Sequence, residues 1–175
     1  MPSDSPGYVH VYTGDGKGKT TAALGLAIRA AGYDRRTYIG QFMKGQEYGE
    51  LVAVENIPQI TIVQYGDPGC IRKEEVTEKH VDQAVRGLEL ARKEMLSRKH
   101  DIIVLDEVNV AIWFDLLTES AVIDLIAERP ADVELVLTGR RAPQAIIEMA
   151  DLVSDMTEVK HYYEQGVIAR KGIEF

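Results

Sequence analysis

Between Thr13 and Thr21 the chain reads TGDGKGKTT. Glycines at alternate positions, Gly14, Gly16 and Gly18, run directly into Lys19 and Thr20. Glycine is required where successive backbone N–H groups curl around an anion, because a Cβ would block the turn or the approach. A helix beginning near Lys19 would aim its free N–H groups and positive dipole end at the same point. Lys19 adds a formal positive charge, the Thr20 hydroxyl can ligate Mg²⁺, and Lys17 offers a second phosphate contact. The usual phosphate-loop pattern, G-x-x-x-x-G-K-[ST], fits Gly18-Lys19-Thr20 but calls for glycine at position 13, where Thr13 stands. The dinucleotide pattern G-x-G-x-x-G fails, since its third glycine would fall at Lys19. These residues point to a bound nucleoside triphosphate. They do not say which of its bonds is broken.

A second chemical feature is IIVLDE, an apolar run ending in Asp106 and Glu107. An acid at the tip of a buried strand can hold Mg²⁺ directly or through water, as phosphate-bound Mg²⁺ keeps few protein ligands. In ATPases the second acid positions a water, yet nothing in these residues makes water the nucleophile. Arg140 and Arg141, after VLTG, read either as phosphate neutralisers or as a solvated pair. Arg29 either reaches the nucleotide or is solvated. Lys160-His161 reads as a hairpin edge, His10 as a sheet histidine, and Trp113 and Phe114 as core.

The elements that must position these groups follow from periodicity. YVHVYT (8–13) alternates and is rich in β-formers, so it reads as a strand. Residues 20–32 form an apolar helix ended by Gly32. Strands are expected at 36–42 and 59–65, with a polar loop, MKGQEYGE, between them. A long helix over 74–98 places Val81, Val85, Leu88, Ala91 and Met95 on one face. DIIVLDE (101–107) is a strand buried on both faces. A helix over 118–130 is capped by Thr118, a strand covers 132–140, and a short helix over 143–150 opens with Pro143. The tail, 151–175, reads as short strands. Alternating strands and helices predict one three-layer α/β domain with a mostly parallel sheet. Ligands of such sheets bind at the carboxyl ends of the strands, so the glycine loop, Asp106-Glu107 and TGR should share one rim.

Composition narrows the classes. The chain has 175 residues, suited to a single domain, with residues 1–7 expected to be flexible. With 20 Lys+Arg against 28 Asp+Glu the formal charge is −8, which disfavours a broad nucleic-acid face. Cys70 is the only cysteine and reads as an inert thiol, so an intramolecular disulfide or a multi-cysteine zinc site is excluded. The N-terminal MPSDSPG carries no apolar run, and no stretch is long enough to span a membrane; a cytoplasmic location is expected.

With these pieces in order, the chain resembles the P-loop ATP:corrinoid adenosyltransferases, the cob(I)alamin or cob(I)yrinic acid a,c-diamide adenosyltransferase family. The resemblance runs from about Tyr8 to Phe175, through TGDGKGKTTAALGLAIRAAG, QFMKG, VLDEVN, RP before ELVLTGR, ADLVSDM, VKHYYEQG and KGIEF. The family's glycine loop has the same shifted form, so Thr13 agrees with it. The resemblance implies a P-loop NTPase (RecA-like) fold, a homodimer, Mg²⁺ or Mn²⁺, and an electron donor supplying Co(I). It implies transfer of the 5′-deoxyadenosyl group from ATP to cobalt, with triphosphate leaving and ATP lying in the loop the reverse way round. On this basis Gly14, Asp15, Gly16, Lys17, Gly18, Lys19, Thr20 and Thr21 bind the triphosphate. Thr20 and Glu107 are expected as metal ligands with Asp106 behind them; Lys19, Thr20 and Glu107 carry the catalysis; and Arg29 lies near the nucleotide. Gln41, Lys44 and Asn109 are expected near the corrinoid.

Two features depart from the family's pattern. Members carry a longer segment before the first strand, and some have a Phe-x-Trp pair after the third strand, linked to removing the lower axial ligand of cobalt. Here that loop reads YGDPGCIRK, with Tyr65 and Ile71 as the nearest substitutes. The competing readings are an ATPase or phosphotransferase acting at the γ-phosphate, and a nucleotide sensor or RecA-like nucleic-acid partner.

Overall fold

The computed structural model describes residues 6–69 and 71–175. Cys70 and residues 1–5 of the N-terminal seven therefore lie outside the described residues. Gly7 is buried and its N–H donates to the Ala131 carbonyl at 2.7 Å.

Six strands, β1 (Val9–Thr13), β2 (Thr37–Phe42), β3 (Ile60–Tyr65), β4 (Ile102–Asp106), β5 (Glu134–Thr138) and β6 (Leu152–Asp155), form one sheet in the order β3-β2-β4-β5-β1-β6. Every pairing is parallel. Among the described residues six helices accompany them: α1 (Lys19–Ala31), α2 (Gly49–Val54), α3 (Glu78–Leu96), α4 (Val108–Trp113), α5 (Glu119–Ala127) and α6 (Gln144–Met149).

The continuous apolar run of β4 is explained by burial on both faces. Its alternate residues Ile103 and Leu105 pack with α3, α5 and α6, while Ile102 and Val104 pack with Ala23, Ala27 and Ala30 of α1. The small residues of α1 let that helix lie close to the sheet. Thr118 caps α5 as expected, accepting the Ala121 N–H at 3.2 Å. The order β4-β5-β1 brings three strand ends side by side, and these carry Asp106, Thr138 and the glycine loop.

Three expectations are corrected. The long helix starts at Glu78, not 74, after a 3₁₀ turn at Lys73–Glu75. Its buried stripe is Ala84, Gly87, Leu88, Ala91 and Met95, and Val85 is 47% exposed. Gly87 belongs to the stripe because Tyr65 presses on it. The loop expected over 43–50 gives way at Gly49 to α2, and α4 stands where no element was expected; each helix has only six residues, too short to show a period. In the tail only Leu152–Asp155 is a strand. GVIARKGIEF forms none, because Gly166 and Gly172 take left-handed turns and the chain doubles back. Among the described residues no helix is long and apolar enough to cross a membrane.

Candidate functional site

The loop is built at the end of β1. Gly14 and Gly18 have φ of +93° and +118°, conformations that glycine adopts without cost. Gly16 is needed for a different reason: a Cβ there would stand 2.5 Å from the Met156 carbonyl oxygen, to which its N–H donates at 2.6 Å. Thr13, by contrast, is still in the strand, paired with Asp155, and its hydroxyl accepts the Ala142 N–H. A side chain is harmless at that position, so the first left-handed turn falls one residue later than the usual pattern has it.

Gly18 precedes α1, whose first N–H groups, from Lys19, Thr20 and Thr21, face the loop without helical partners. Lys19 is 6% exposed and its ammonium donates to the carbonyls of Gly14 (2.7 Å) and Gly16 (2.6 Å). Burial, helped by Arg140, lowers its pKa, against the opposing pull of Glu107, Asp15 and Asp155. The ammonium therefore lies inside the loop, against the carbonyls of Gly14 and Gly16.

Asp106 is the hub of the rim and is completely buried. Its Oδ1 accepts the hydroxyls of Thr20 (2.9 Å) and Thr138 (2.7 Å), and its Oδ2 accepts Lys44 Nζ (2.9 Å) and Gln41 Nε2 (3.2 Å). Thr138 also accepts the Glu107 N–H at 2.9 Å. Burial alone would lower the Lys44 pKa, but Asp106, with Glu50 and Glu107, outweighs it and raises the pKa. Glu107 has φ of +61°, unusual for a residue with a side chain. Its carboxyl pKa is raised by burial and by Asp106, against Lys44, Lys19 and Arg140.

A cavity of ≈ 640 Å³ opens over these groups. It is lined by Gly16 to Thr21, Lys44, Glu107 and Arg140, and by residues to which the sequence assigned no such role: Leu24, Tyr48, Glu50, Ala53, Ile173, Glu174 and Phe175. His161, expected at a hairpin edge, lines it too. Gly14 and the exposed Asp15 complete the loop behind it.

Some expected residues are elsewhere. Gln41 and Asn109 are fully buried. Gln41 is spent on Asp106, Glu50 and Gln64, and Asn109 donates to the Gly139 carbonyl. Neither lines the cavity described above; Lys44 does. Arg29 lies ten residues along α1 from Lys19, about 15 Å away, and lines a separate cavity with Tyr33, Arg35 and Asp101. Arg141 stacks on Trp113 at 4.4 Å, leaving Arg140 to face the site. Lys17 donates to the Ile173 carbonyl (2.9 Å) and to Glu174 (3.3 Å).

The oxygen donors suit a hard cation. Thr20 and Asp106 are in contact, Glu107 borders the same cavity, and Asp106 already carries an ammonium on Oδ2. Among the described residues no group of three or more His, Cys, Asp or Glu gathers as a metal cage. The set fits a cation such as Mg²⁺, which takes one or two carboxylates and completes its shell with phosphate and water.

Comparison with known sequences decides the family. Residues 5–175 match the profile of the family described as ATP:corrinoid adenosyltransferase BtuR/CobO/CobP. The chain belongs to the ATP:corrinoid adenosyltransferase family. Like the other members of this family it is a transferase enzyme. It is 33% identical over 173 residues to the corrinoid adenosyltransferase of Escherichia coli K12, covering 98% of this chain and 87% of that one. The corrinoid adenosyltransferase of Pseudomonas aeruginosa is 32% identical, with 98% and 85% covered. Corrinoid adenosyltransferase CobA of Salmonella typhimurium is 32% identical, with 97% and 86% covered. Among solved structures, a KaiC-like protein from Pyrococcus horikoshii OT3 superimposes with a TM-score of 0.54 at 17% identity, over 86% of this chain and 72% of that one. That likeness concerns the fold alone: α/β with a parallel sheet, of the RecA-like P-loop type. Adenosyl transfer in corrinoid metabolism is the general activity that family membership assigns.

Proposed function

We propose that the chain transfers the 5′-deoxyadenosyl group of ATP to the Co(I) of a reduced corrinoid and releases triphosphate. The observation that carries this reading is the convergence of the glycine loop, Lys19, Thr20 and Glu107 on one cavity, with the buried Asp106 holding Thr20 behind it, in a chain that matches the family profile over residues 5–175.

In the reaction the cobalt electron pair attacks C5′ of the ribose. The cobalt–carbon bond forms as the C5′–oxygen bond breaks, and the bonding pair leaves with the triphosphate. No proton needs to move in this step, so the protein supplies neither nucleophile nor general base. Its task is to stabilise negative charge on the leaving group, which preorganised donors do well in a partly dry site. Gly14, Asp15, Gly16, Lys17, Gly18 and Thr21 frame the triphosphate, with the α1 N–H groups and the Lys19 ammonium pointed at it. Arg140 adds a further positive charge at the cavity wall. Thr20 and Glu107 would hold Mg²⁺ or Mn²⁺, with Asp106 fixing the Thr20 hydroxyl behind them. When bound, that cation neutralises charge on the phosphate oxygens. Lys44 is the residue of the expected corrinoid set that reaches the cavity.

The same reading includes a homodimer, an electron donor supplying Co(I), and a cytoplasmic location. Among the described residues the outer edge of β6 has no strand partner, and Leu152 and Val153 beside it are each 43% exposed, which supports a second copy as partner. The net charge of −8 supports the expectation of no nucleic-acid partner.

Anaerobic incubation with ATP, Mg²⁺ and chemically reduced corrinoid tests the proposal. Adenosylated corrinoid and tripolyphosphate are expected in equal amounts. Release of single phosphate without corrinoid, and with no cobalt–carbon bond formed, would place the chemistry at the γ-phosphate instead.

A further inference from the structure

The last eighteen residues of the chain cross the triphosphate loop, and one carboxylate gathers them. From Met156, which accepts the Gly16 N–H, the chain runs over the loop and through the 3₁₀ turn Tyr162–Gln165. Left-handed glycines at Gly166 and Gly172 then turn it back, so that residues 172–175 line the nucleotide cavity. Burial does little to hold this segment: Val159, Ile168 and Tyr163 are 93%, 76% and 72% exposed.

What holds it is Glu174. Its carboxylate accepts the Arg170 N–H (2.7 Å), the Arg170 guanidinium (3.3 Å) and the Tyr162 hydroxyl, and pairs with Lys17 of the loop (3.3 Å). Arg170 in turn stacks on Tyr162 at 4.8 Å. These donors, Arg170 and Tyr162 foremost, hold the carboxyl well below the usual glutamate range.

We propose that residues 158–175 are a strap forming the nucleoside wall of the site, and that Glu174 is the positioning residue that seats it. This rests on the assignment of the cavity to ATP. The loop takes the phosphates, so the nucleoside must lie against the apolar and aromatic part of the remaining lining. Leu24, Tyr48 and Ala53 provide one part of that lining, and Ile173 and Phe175 provide the rest. Lys17 is thereby a tether between loop and strap as well as a phosphate contact.

The two effects of removing Glu174 have opposite signs, which makes the proposal testable. Glu174→Ala deletes a negative charge beside the triphosphate, frees Arg170, and leaves Lys17 its bond to the Ile173 carbonyl. Charge alone therefore tightens every polyphosphate ligand. Loss of a seated wall weakens only ligands with a nucleoside. Binding of ATP and of inorganic tripolyphosphate to wild type and Glu174→Ala, measured calorimetrically without corrinoid, separates them. The expected result is an ATP Kd raised about fivefold, equivalent to losing roughly one apolar contact, with a tripolyphosphate Kd unchanged or lower.

Trypsin cleavage at Arg170 and Lys171 provides a second readout. ATP should slow cleavage in the wild type and lose that effect in Glu174→Ala. Parallel tightening, parallel weakening or no change for the two ligands would overturn the strap, as would equal protection by ATP in both proteins. Failure of the wild type to bind ATP would overturn the ATP assignment and the strap with it. A wild type that binds ATP but does not adenosylate corrinoid would overturn only the transfer reaction.

Discussion

Asp106→Asn changes one atom at the hub of the rim, and the structure sets the size of its effect. Asp106 is fully buried and all four of its neighbours donate to it. An asparagine can keep its oxygen toward Lys44 and Gln41 and turn its NH₂ toward Thr20 and Thr138, whose hydroxyls rotate to accept. Geometry is therefore largely recoverable, and charge is not. Lys44, 15% exposed, loses its near counterion and keeps Glu50 at 3.7 Å and the weaker pull of Glu107. Removing one member of a buried ion pair costs about 3–5 kcal/mol. The remaining Glu50 and relief of the repulsion between Asp106 and Glu107 place this case near the lower end, about 3 kcal/mol. With a urea m-value of about 2 kcal/mol/M, the unfolding midpoint of the ligand-free protein should fall by about 1.5 M. Adding Lys44→Met should restore most of the loss, because no cation is then left buried without its partner. Equilibrium urea denaturation followed by circular dichroism measures both. A shift below about 0.3 M, or no recovery in the double variant, would refute the ion pair as the hub's main support.

Lys19→Ala should lower adenosyl transfer by about 10²–10³-fold, the scale for losing one preorganised charge donor; near-normal turnover in the anaerobic assay would contradict its role. Gly87→Ala sets a Cβ 2.4 Å from Tyr65 Cγ, and Tyr65 cannot retreat because its Cε2 would lie 2.6 Å from a Cβ at Gly40, so the space between the two glycines is already full. Overpacking of about 1–3 kcal/mol or more then exceeds the helix-propensity gain of about 1 kcal/mol. A melting temperature lowered by several degrees is expected, and an unchanged or higher one would contradict the packing. His100 packs on Tyr38, and burial, reinforced by Arg36 and Lys99, holds its pKa below the ordinary value despite Glu94 and Asp101. The unfolded chain takes up the proton first, so this contribution to stability is complete above about pH 6.5 and is lost as pH falls through the depressed folded value. His100→Gln should flatten the decline in stability between pH 7 and 5; an unaltered slope would show that other groups carry it.

Local order made much of this protein legible. The glycine spacing marked the loop because positive φ and close backbone approach leave few alternatives to glycine. The apolar run ending in Asp106 marked a central strand, since a parallel strand is buried on both faces. The less legible parts had no local signature. The helices α2 and α4 are too short to show a period, so the surroundings of Lys44 and Tyr48 went unread. Thr138 looked like an ordinary strand residue, although its hydroxyl bridges Asp106 and the Glu107 N–H. Gln41 and Asn109 carried the right polar groups for a ligand, but both are fully buried; Gln41 bonds to its neighbours and Asn109 donates to the Gly139 carbonyl.

Taken alone, the sequence determined the strand–loop–helix unit around the glycine loop, the α/β class and the acidic strand tip, because each is encoded by neighbours a few residues apart. The family resemblance rested on their order along the chain. Tertiary structure decided the rest. Sheet order set β4, β5 and β1 side by side, so that residues from 20 to 138 meet on one carboxylate. It also brought Glu174 across the loop to Lys17, 157 positions away in the chain. Contacts of that span depend on how the whole chain closes, which no local pattern records.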